Sequence, residues 1–467
     1  MEKVHILHTN DIHSHLNYWP RTAHFLTDQK ATWNALDHTT AFNFELGDAV
    51  DRVHPLAEGT QGEGIIALLN EADYDAATVG NNEGVGEPKA DLNKLYDEAN
   101  FPVTIANLFD ADTHALPTWA KEKLIFESQD GTIFGVFGLT FPFEKSYSPL
   151  GWNVEDPIAI VENVIKELSD SVDCIILLSH LGIYFDRKIA EVIKGIDVII
   201  GSHTHHVLPK GEWVEGTLLT GAGRYNEYVG HITLSFDNHN LQGVQAELIS
   251  TNQIDSVPGE ADTAREYAAR GNELLEQDVL AYLPKKLETD WHGKSSLGDF
   301  VMDAISDATG IDTVFLNAGL LVESLEKGVL TSADLHSAFP HSMRLVKLTL
   351  AGEQMQNVFL EFEKNRVEHK YHELFGTGFR GKIFGDVLYK NIDVETDSFT
   401  VYFNGEKLQS DKMYTFATVD FFAFSPQFPL LSQDAEAELL FPDLFRDVIG
   451  QYAKKIYPIE KEGQHGS

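Results

Sequence analysis

The chain has 467 residues, enough to bury more than one core, so two domains are expected. Its 35 lysines and arginines stand against 72 acidic residues, a formal net charge of −37. That balance excludes a nucleic-acid polymer or an anionic membrane as a broad-surface partner, because a phosphate backbone needs basic side chains to displace its counterions; small anions stay open where bound cations supply positive charge locally.

Val4-His5-Ile6-Leu7-His8-Thr9 reads as a strand starting almost at Met1, which leaves no room for the basic and apolar segments of a signal peptide. No apolar run reaches the roughly 20 residues that span a bilayer, so a soluble, cytoplasmic protein is expected. Further strands are expected at Ala41-Leu46, Ala76-Val79, Val103-Ala106, Ile133-Leu139, Asp173-Leu178, Asp197-Ile200, Thr217-Thr220 and Tyr228-Phe236, with helices such as Ile158-Leu168 and Phe185-Ile193 between them. The only cysteine, Cys174, lies inside one of these apolar runs and reads as a buried, inert thiol. Residues 1–250 therefore read as a layered α/β domain, in which ligands collect at the carboxyl ends of strands.

From Pro258 to Lys286 the spacing of Ala, Glu, Arg and Leu predicts a linking helix, giving a connecting segment at 251–286. A smaller α/β domain is expected over 287–460. Its elements are a helix at Ser296-Thr309, strands at Asp312-Leu316 and Arg344-Leu350, a helix at Glu353-Asn365, strands near Lys382-Lys390, Phe399-Phe403 and Met413-Thr418, and a last helix at Leu444-Ile456.

Five short polar strings follow apolar runs in the first domain: Asp11-Ile12-His13, Gly47-Asp48, Gly80-Asn81-Asn82-Glu83, Ser179-His180 and Gly201-Ser202-His203-Thr204-His205. They offer seven side chains of metal-ligand type, Asp11, His13, Asp48, Asn81, His180, His203 and His205, about the number that two divalent cations sharing a carboxylate require. Singly each has a plain structural reading: His180 as a hydrogen-bonded core histidine, Asp48 as a turn residue after Gly47. Together, four histidines and two aspartates left unpaired at strand ends would carry an uncompensated desolvation cost.

These strings, with Thr9-Asn10-Asp11-Ile12-His13-Ser14 at their head, resemble the signature blocks of the calcineurin-like metallophosphoesterases, and Ser296-Leu297-Gly298-Asp299-Phe300-Val301-Met302-Asp303-Ala304 resembles the start of the C-terminal domain of the 5'-nucleotidase branch. The resemblance implies an αββα-layered domain followed by the smaller α/β domain. It implies two divalent metal ions (Mn, Zn, Fe or Co), one held by Asp11, His13, Asp48 and His205 and the other by Asp48, Asn81, His180 and His203, with Asp48 as the bridge. The reaction implied is metal-dependent hydrolysis of nucleotides or related phosphate esters and anhydrides by in-line attack of a metal-bridging hydroxide, with Asp48, Asn81 and Asn82 at the reacting phosphate. The second domain would recognise the nucleoside by stacking its base between Phe379 and Phe421, with Arg344, Arg366 and Arg380 as sources of positive charge.

The chain departs from the family at Asn82. Most members carry there a histidine which, with an aspartate three residues on, binds the phosphate and protonates the leaving group; here the two positions hold Asn82 and Val85. A carboxamide donates a hydrogen bond but delivers no proton, so a general-acid contribution of about 10²–10⁴-fold is lost unless another group supplies it, His206 being the first candidate by position. The loss falls on alkoxide leaving groups and spares phosphate, which shifts weight from simple monophosphates toward nucleoside diphosphates, sugar nucleotides and activated esters. Nucleotide pyrophosphohydrolase, 2',3'-cyclic phosphodiesterase and a low-turnover metal- or nucleotide-binding protein are the alternatives. Two further blocks differ: Asn317-Ala318-Gly319-Leu320-Leu321 lacks the usual arginine, and Ser425-Pro426-Gln427-Phe428 replaces a glycine-rich segment with an aspartate.

Overall fold

A computed structural model describes residues 1–374 and 378–459. The chain divides into two compact units, Met1–Gly271 and Asn272 onward. The division falls inside the helix Glu260–Gln277, within the segment expected to link the domains. Residue 460, the expected end of the second domain, lies outside the described residues.

The first unit is built on two sheets. One has seven strands in the spatial order Asn240–Ser250, Tyr228–Asp237, Glu2–Thr9, Thr39–Glu45, Ala76–Ala77, Val103–Thr104 and Ala120–Lys121. The other has six, in the order Glu212–Val214, Thr217–Thr220, Val198–Gly201, Cys174–His180, Ile133–Thr140 and Leu124–Glu127. Strand residues of alternating direction decide the layers. Val4, Ile6, Phe42 and Phe44 of the first sheet pack with Phe134, Val136, Ile176, Leu178, Val198 and Ile200 of the second, forming the sheet-on-sheet core. Ile175, Leu177 and Ile199 point the other way, onto Ile160, Val161 and Val164 of the helix Pro157–Leu168 and Ile189 of the helix Ile183–Val192. On the far face of the first sheet Asn43 donates to the carbonyls of Leu26 and Ala72, tying down the helix Trp19–Asn34. The result is the αββα layering expected. Central strands buried on both faces read as unbroken apolar runs, as Cys174–His180 does, every residue of it buried.

The second unit centres on a five-stranded sheet, Val387–Lys390, Val314–Asn317, Met413–Val419, Leu345–Ala351 and Glu436–Leu439, whose core takes in the helices Ser296–Thr309, Gly352–Lys364 and Phe445–Ile456. The strand expected from Lys382 begins only at Val387. Gly385 takes φ +78, and the carbonyls of Phe384 and Asp386 instead accept from Gly319 and Ala318 in the turn after Val314–Asn317.

Candidate metal centre

Each polar string sits just past the carboxyl end of a strand: Asp11 and His13 after Glu2–Thr9, Asp48 after Thr39–Glu45, Asn81 after Ala76–Ala77, His180 at the end of Cys174–His180, and His203 and His205 after Val198–Gly201. The two sheets bring these ends together. Asp11, His13 and His205 present ligand atoms all within 4.8 Å of one another, and so do Asp48, His180 and His203. Asp48 reaches both groups, with Oδ2 3.7 Å from His13 Nε2 and Oδ1 3.3 Å from His180 Nε2. Asn81 belongs with the second group, its Oδ1 lying 2.7 Å from His203 Nδ1 and 3.3 Å from His180 Nε2. All seven expected ligands are therefore gathered.

The backbone is forced to gather them. Asp11, His13, Asp48, His203 and His205 all have φ between +48 and +69, a region non-glycine residues enter only when surrounding contacts over-determine it. Two glycines make the close approach possible: a Cβ on Gly80 would lie 2.1 Å from Asp48 Oδ1, and one on Gly47, itself at φ +83, would lie 2.3 Å from the Gly80 nitrogen. Behind this contact Glu83, buried, accepts the backbone N–H groups of Asp48, Val50 and Gly80 and so clamps both loops. The sequence offered one signal for it, an acidic residue three positions after Gly80 at the start of a helix.

The donor set fits divalent ions of the transition series. His180 Nδ1 lies 2.7 Å from the Leu46 carbonyl, which must accept the proton, leaving Nε2 as the nitrogen turned toward Asp48. His13 Nε2 and His205 Nε2 converge to 3.3 Å. Buried carboxylates demand a compensating cation: burial opposes a charge on His180, yet Asp48 and Asp11 beside it raise its pKa to about 10. Burial, with His180 adding repulsion, lowers that of His203 to about 4, so His203 is neutral and ligand-ready at neutral pH.

Asn82 donates its backbone N–H to Asp48 Oδ1 at 2.7 Å; its Nδ2 lies 3.0 Å from His13 Nδ1 and its Oδ1 accepts from Asn81 Nδ2 at 3.3 Å. Coordination through His13 Nε2 would put the proton on Nδ1, for which Asp51 Oδ2 at 3.6 Å is the carboxylate within reach. The residue in the acid's position thus lies against the imidazole of a candidate ligand. His206, the other acid candidate, is exposed with Nδ1 3.0 Å from Thr204 Oγ1.

The residues expected to bind the nucleoside are arranged differently from the expectation. Phe379 and Phe421 are buried with ring centroids 5.9 Å apart and tilted by 41°, in contact with each other, whereas a base between two rings needs roughly 7 Å, two stacking distances. Phe379 also stacks on His341. Arg344 is 4% exposed, donates to the Pro442 carbonyl and lies over the Phe441 ring, the surroundings of a packing residue. Arg366 is paired with Glu363 and Asp386. Arg380 is half-buried, its Nη1 on the Phe379 carbonyl.

The fold and the gathered side chains are those of a metallophosphoesterase scaffold, and sequence comparison agrees. Residues 4–207 match the calcineurin-like phosphoesterase family and residues 278–427 the family 5'-nucleotidase, C-terminal domain. The chain is 33% identical to the uncharacterized metallophosphoesterase YunD of Bacillus subtilis (strain 168), over 96% of this chain and 98% of that protein. It belongs to this family of calcineurin-like metallophosphoesterases with a 5'-nucleotidase C-terminal domain, and is a hydrolase of that class. Its fold is also that of two solved structures. A putative 5'-nucleotidase from Staphylococcus aureus in complex with alpha-ketoglutarate has TM-score 0.67 and 16% identity, with 98% of both chains covered. Haemophilus influenzae NAD nucleotidase has TM-score 0.66 and 17% identity, with 97% of this chain and 96% of that one covered.

Proposed function

We propose that the chain hydrolyses nucleotides or related phosphate compounds at a two-metal centre, favouring substrates whose leaving group departs without a proton: nucleoside diphosphates, sugar nucleotides and activated esters. Asp11, His13, Asp48 and His205 would hold one ion, and Asp48, Asn81, His180 and His203 the other. Ions so held activate water and neutralise charge on the phosphoryl group. The protein's own residues set the ligand geometry through strained strand-end loops and restrict which leaving groups succeed. The observation that carries the preference is the contact of Asn82 with His13 Nδ1 at 3.0 Å, which leaves the acid's position filled by a group that neither ionises nor transfers a proton.

The test compares turnover of metal-loaded protein on a nucleoside monophosphate, the matching diphosphate and a nitrophenyl ester. Hydrolysis of the diphosphate and the activated ester is expected to exceed that of the monophosphate by about 10²-fold or more. Asn82→His, best combined with Val85→Asp to orient the new imidazole, should raise monophosphate turnover selectively. Equal rates of wild type on monophosphate and activated ester would show that another residue serves as the acid and would overturn the preference.

A further inference from the structure

Beside the metal centre the first unit places an arginine that sequence reasoning passed over. Gly223-Arg224-Tyr225-Asn226 carries positive φ at Gly223 (+73), Tyr225 (+60) and Asn226 (+58), a run of strain that persists only where contacts enforce it. They do: the Tyr225 nitrogen donates to the Asp11 carbonyl at 2.8 Å, Asn10 donates to the Gly223 carbonyl, and Thr22 and Thr251 hold the side chain and carbonyl of Asn226. The segment is thus tied to the backbone of a candidate ligand.

The enforced turn sets Arg224 in a defined stack. Its Cζ lies 4.4 Å from the Tyr225 ring centroid. The His15 imidazole, stacked at 3.8 Å and 21°, fills one face of that ring, which leaves the guanidinium the other. Arg21, Arg52 and Arg187 of the same unit each hold a carboxylate; among the described residues no carboxylate pairs with Arg224. In a chain with twice as many acids as bases, an exposed guanidinium backed by an aromatic ring and facing a metal centre is placed for an anion that is not part of the protein.

Its one side-chain hydrogen bond sharpens the point. Arg224 Nη1 lies 3.4 Å from His205 Nδ1. A guanidinium only donates, so that contact requires a bare Nδ1. His205 Nε2 is the nitrogen turned to Asp11 and His13, at 3.5 and 3.3 Å, and ligation through it leaves the proton on Nδ1. Two donors cannot face each other. A loaded His205 therefore releases Arg224, whose planar fork matches a phosphate.

We propose that Arg224 is a substrate-binding residue of the first unit, gripping the departing phosphate of a phosphate anhydride. This rests on the hydrolytic reading above. In that reaction the oxygen of water bonds to the terminal phosphorus while the bridging P–O bond breaks. The electron pair leaves on the bridging oxygen of the departing phosphate, and the proton of water passes to solvent. Charge then grows where a guanidinium can take it without proton transfer, which is what a site with Asn82 in the acid's place needs.

The experiment uses metal-loaded full-length protein, wild type, Arg224→Gln and Arg224→Lys, with metal content measured by elemental analysis and inorganic phosphate affinity by calorimetry. Arg224→Gln should keep the wild-type metal content, weaken phosphate about 10- to 100-fold, and lower kcat/KM for a nucleoside diphosphate more than for a nitrophenyl ester; Arg224→Lys should recover only part of the loss. Phosphate affinity within twofold of wild type, no phosphate binding by wild type, or metal lost from Arg224→Gln would each overturn the proposal, the last by making Arg224 a support for His205. If wild type binds phosphate through Arg224 but hydrolyses no nucleotide, the hydrolytic reading fails and the anion site stands.

Discussion

Asp48 lies between the two ligand groups, with one carboxylate oxygen toward His13 and the other toward His180, so its loss should couple them. Wild-type protein is expected to bind two divalent ions per chain and Asp48→Ala none, measured by elemental analysis after dialysis, with circular dichroism confirming the fold. One ion in wild type, or two kept by the variant, would remove the bridge. At this scale the gathered cluster was legible because each candidate ligand is a polar residue ending an apolar run, a pattern that burial makes costly without a purpose. Arg224 and Asp51 were not, since a single charged residue in a loop has the same appearance whether it faces solvent or a site. The phenylalanine pair shows the opposite limit: in a chain with 29 phenylalanines, a ring at an expected position says little about whether a gap lies beside it, and here Phe379 and Phe421 close on each other.

The loops Gly47-Asp48 and Gly80-Asn81 are held back to back, and their approach is what fixes the Asp48 carboxylate. Gly80→Ala would drive a methyl group to 2.1 Å from Asp48 Oδ1 and 2.2 Å from its nitrogen. It should cost about 1–3 kcal/mol of stability, as overpacking does, and lower kcat/KM at least about 100-fold, the loss expected when a reacting group is displaced by about 1 Å. Urea melts and kinetics on the nitrophenyl ester measure both, and near-wild-type activity would show that the loops have slack. The strands around these loops were legible as apolar runs, whereas the helix Trp19–Asn34 was not. Its buried positions are Trp19, Thr22, Ala23, Leu26 and Lys30, at helical spacing but with two polar members; Lys30 is buried because its ammonium meets Asp73 and Asp75 at 3.1 and 2.9 Å, a tertiary pairing that no local pattern encodes. The strand Val279–Leu283, paired with Gly328–Thr331, was absorbed into the expected linking helix because it follows that helix almost directly.

Two units with separate hydrophobic cores should melt as two transitions, each answering to its own chemistry. All seven candidate ligands lie in the first unit, so only its transition should move on metal loading. Each ion present at 100 times its dissociation constant stabilises by about 2.7 kcal/mol, a rise of roughly 5–10 °C per ion for a unit of this size, reversed by a chelator. The second unit carries a different handle. Burial pushes the carboxyl of Asp420 up to about 7 from 3.8, against the pull of the Arg344 N–H that it accepts and of the nearby guanidinium. A carboxyl with a raised folded pKa is protonated in the folded state and ionised in the unfolded state between those two values. Its contribution is fully present below about pH 4 and is lost as pH rises to about 7. Relative to Asp420→Asn, which stays neutral throughout, the wild-type second transition should therefore fall across that window by an amount on the order of a few kcal/mol and run parallel above it, while the first transition shows no such difference. Calorimetry at several pH values, with and without chelator, reads both. A second transition that follows the chelator, or a wild-type-to-variant difference that does not change between pH 4 and 7, would show that the two units do not hold their stabilising chemistry apart.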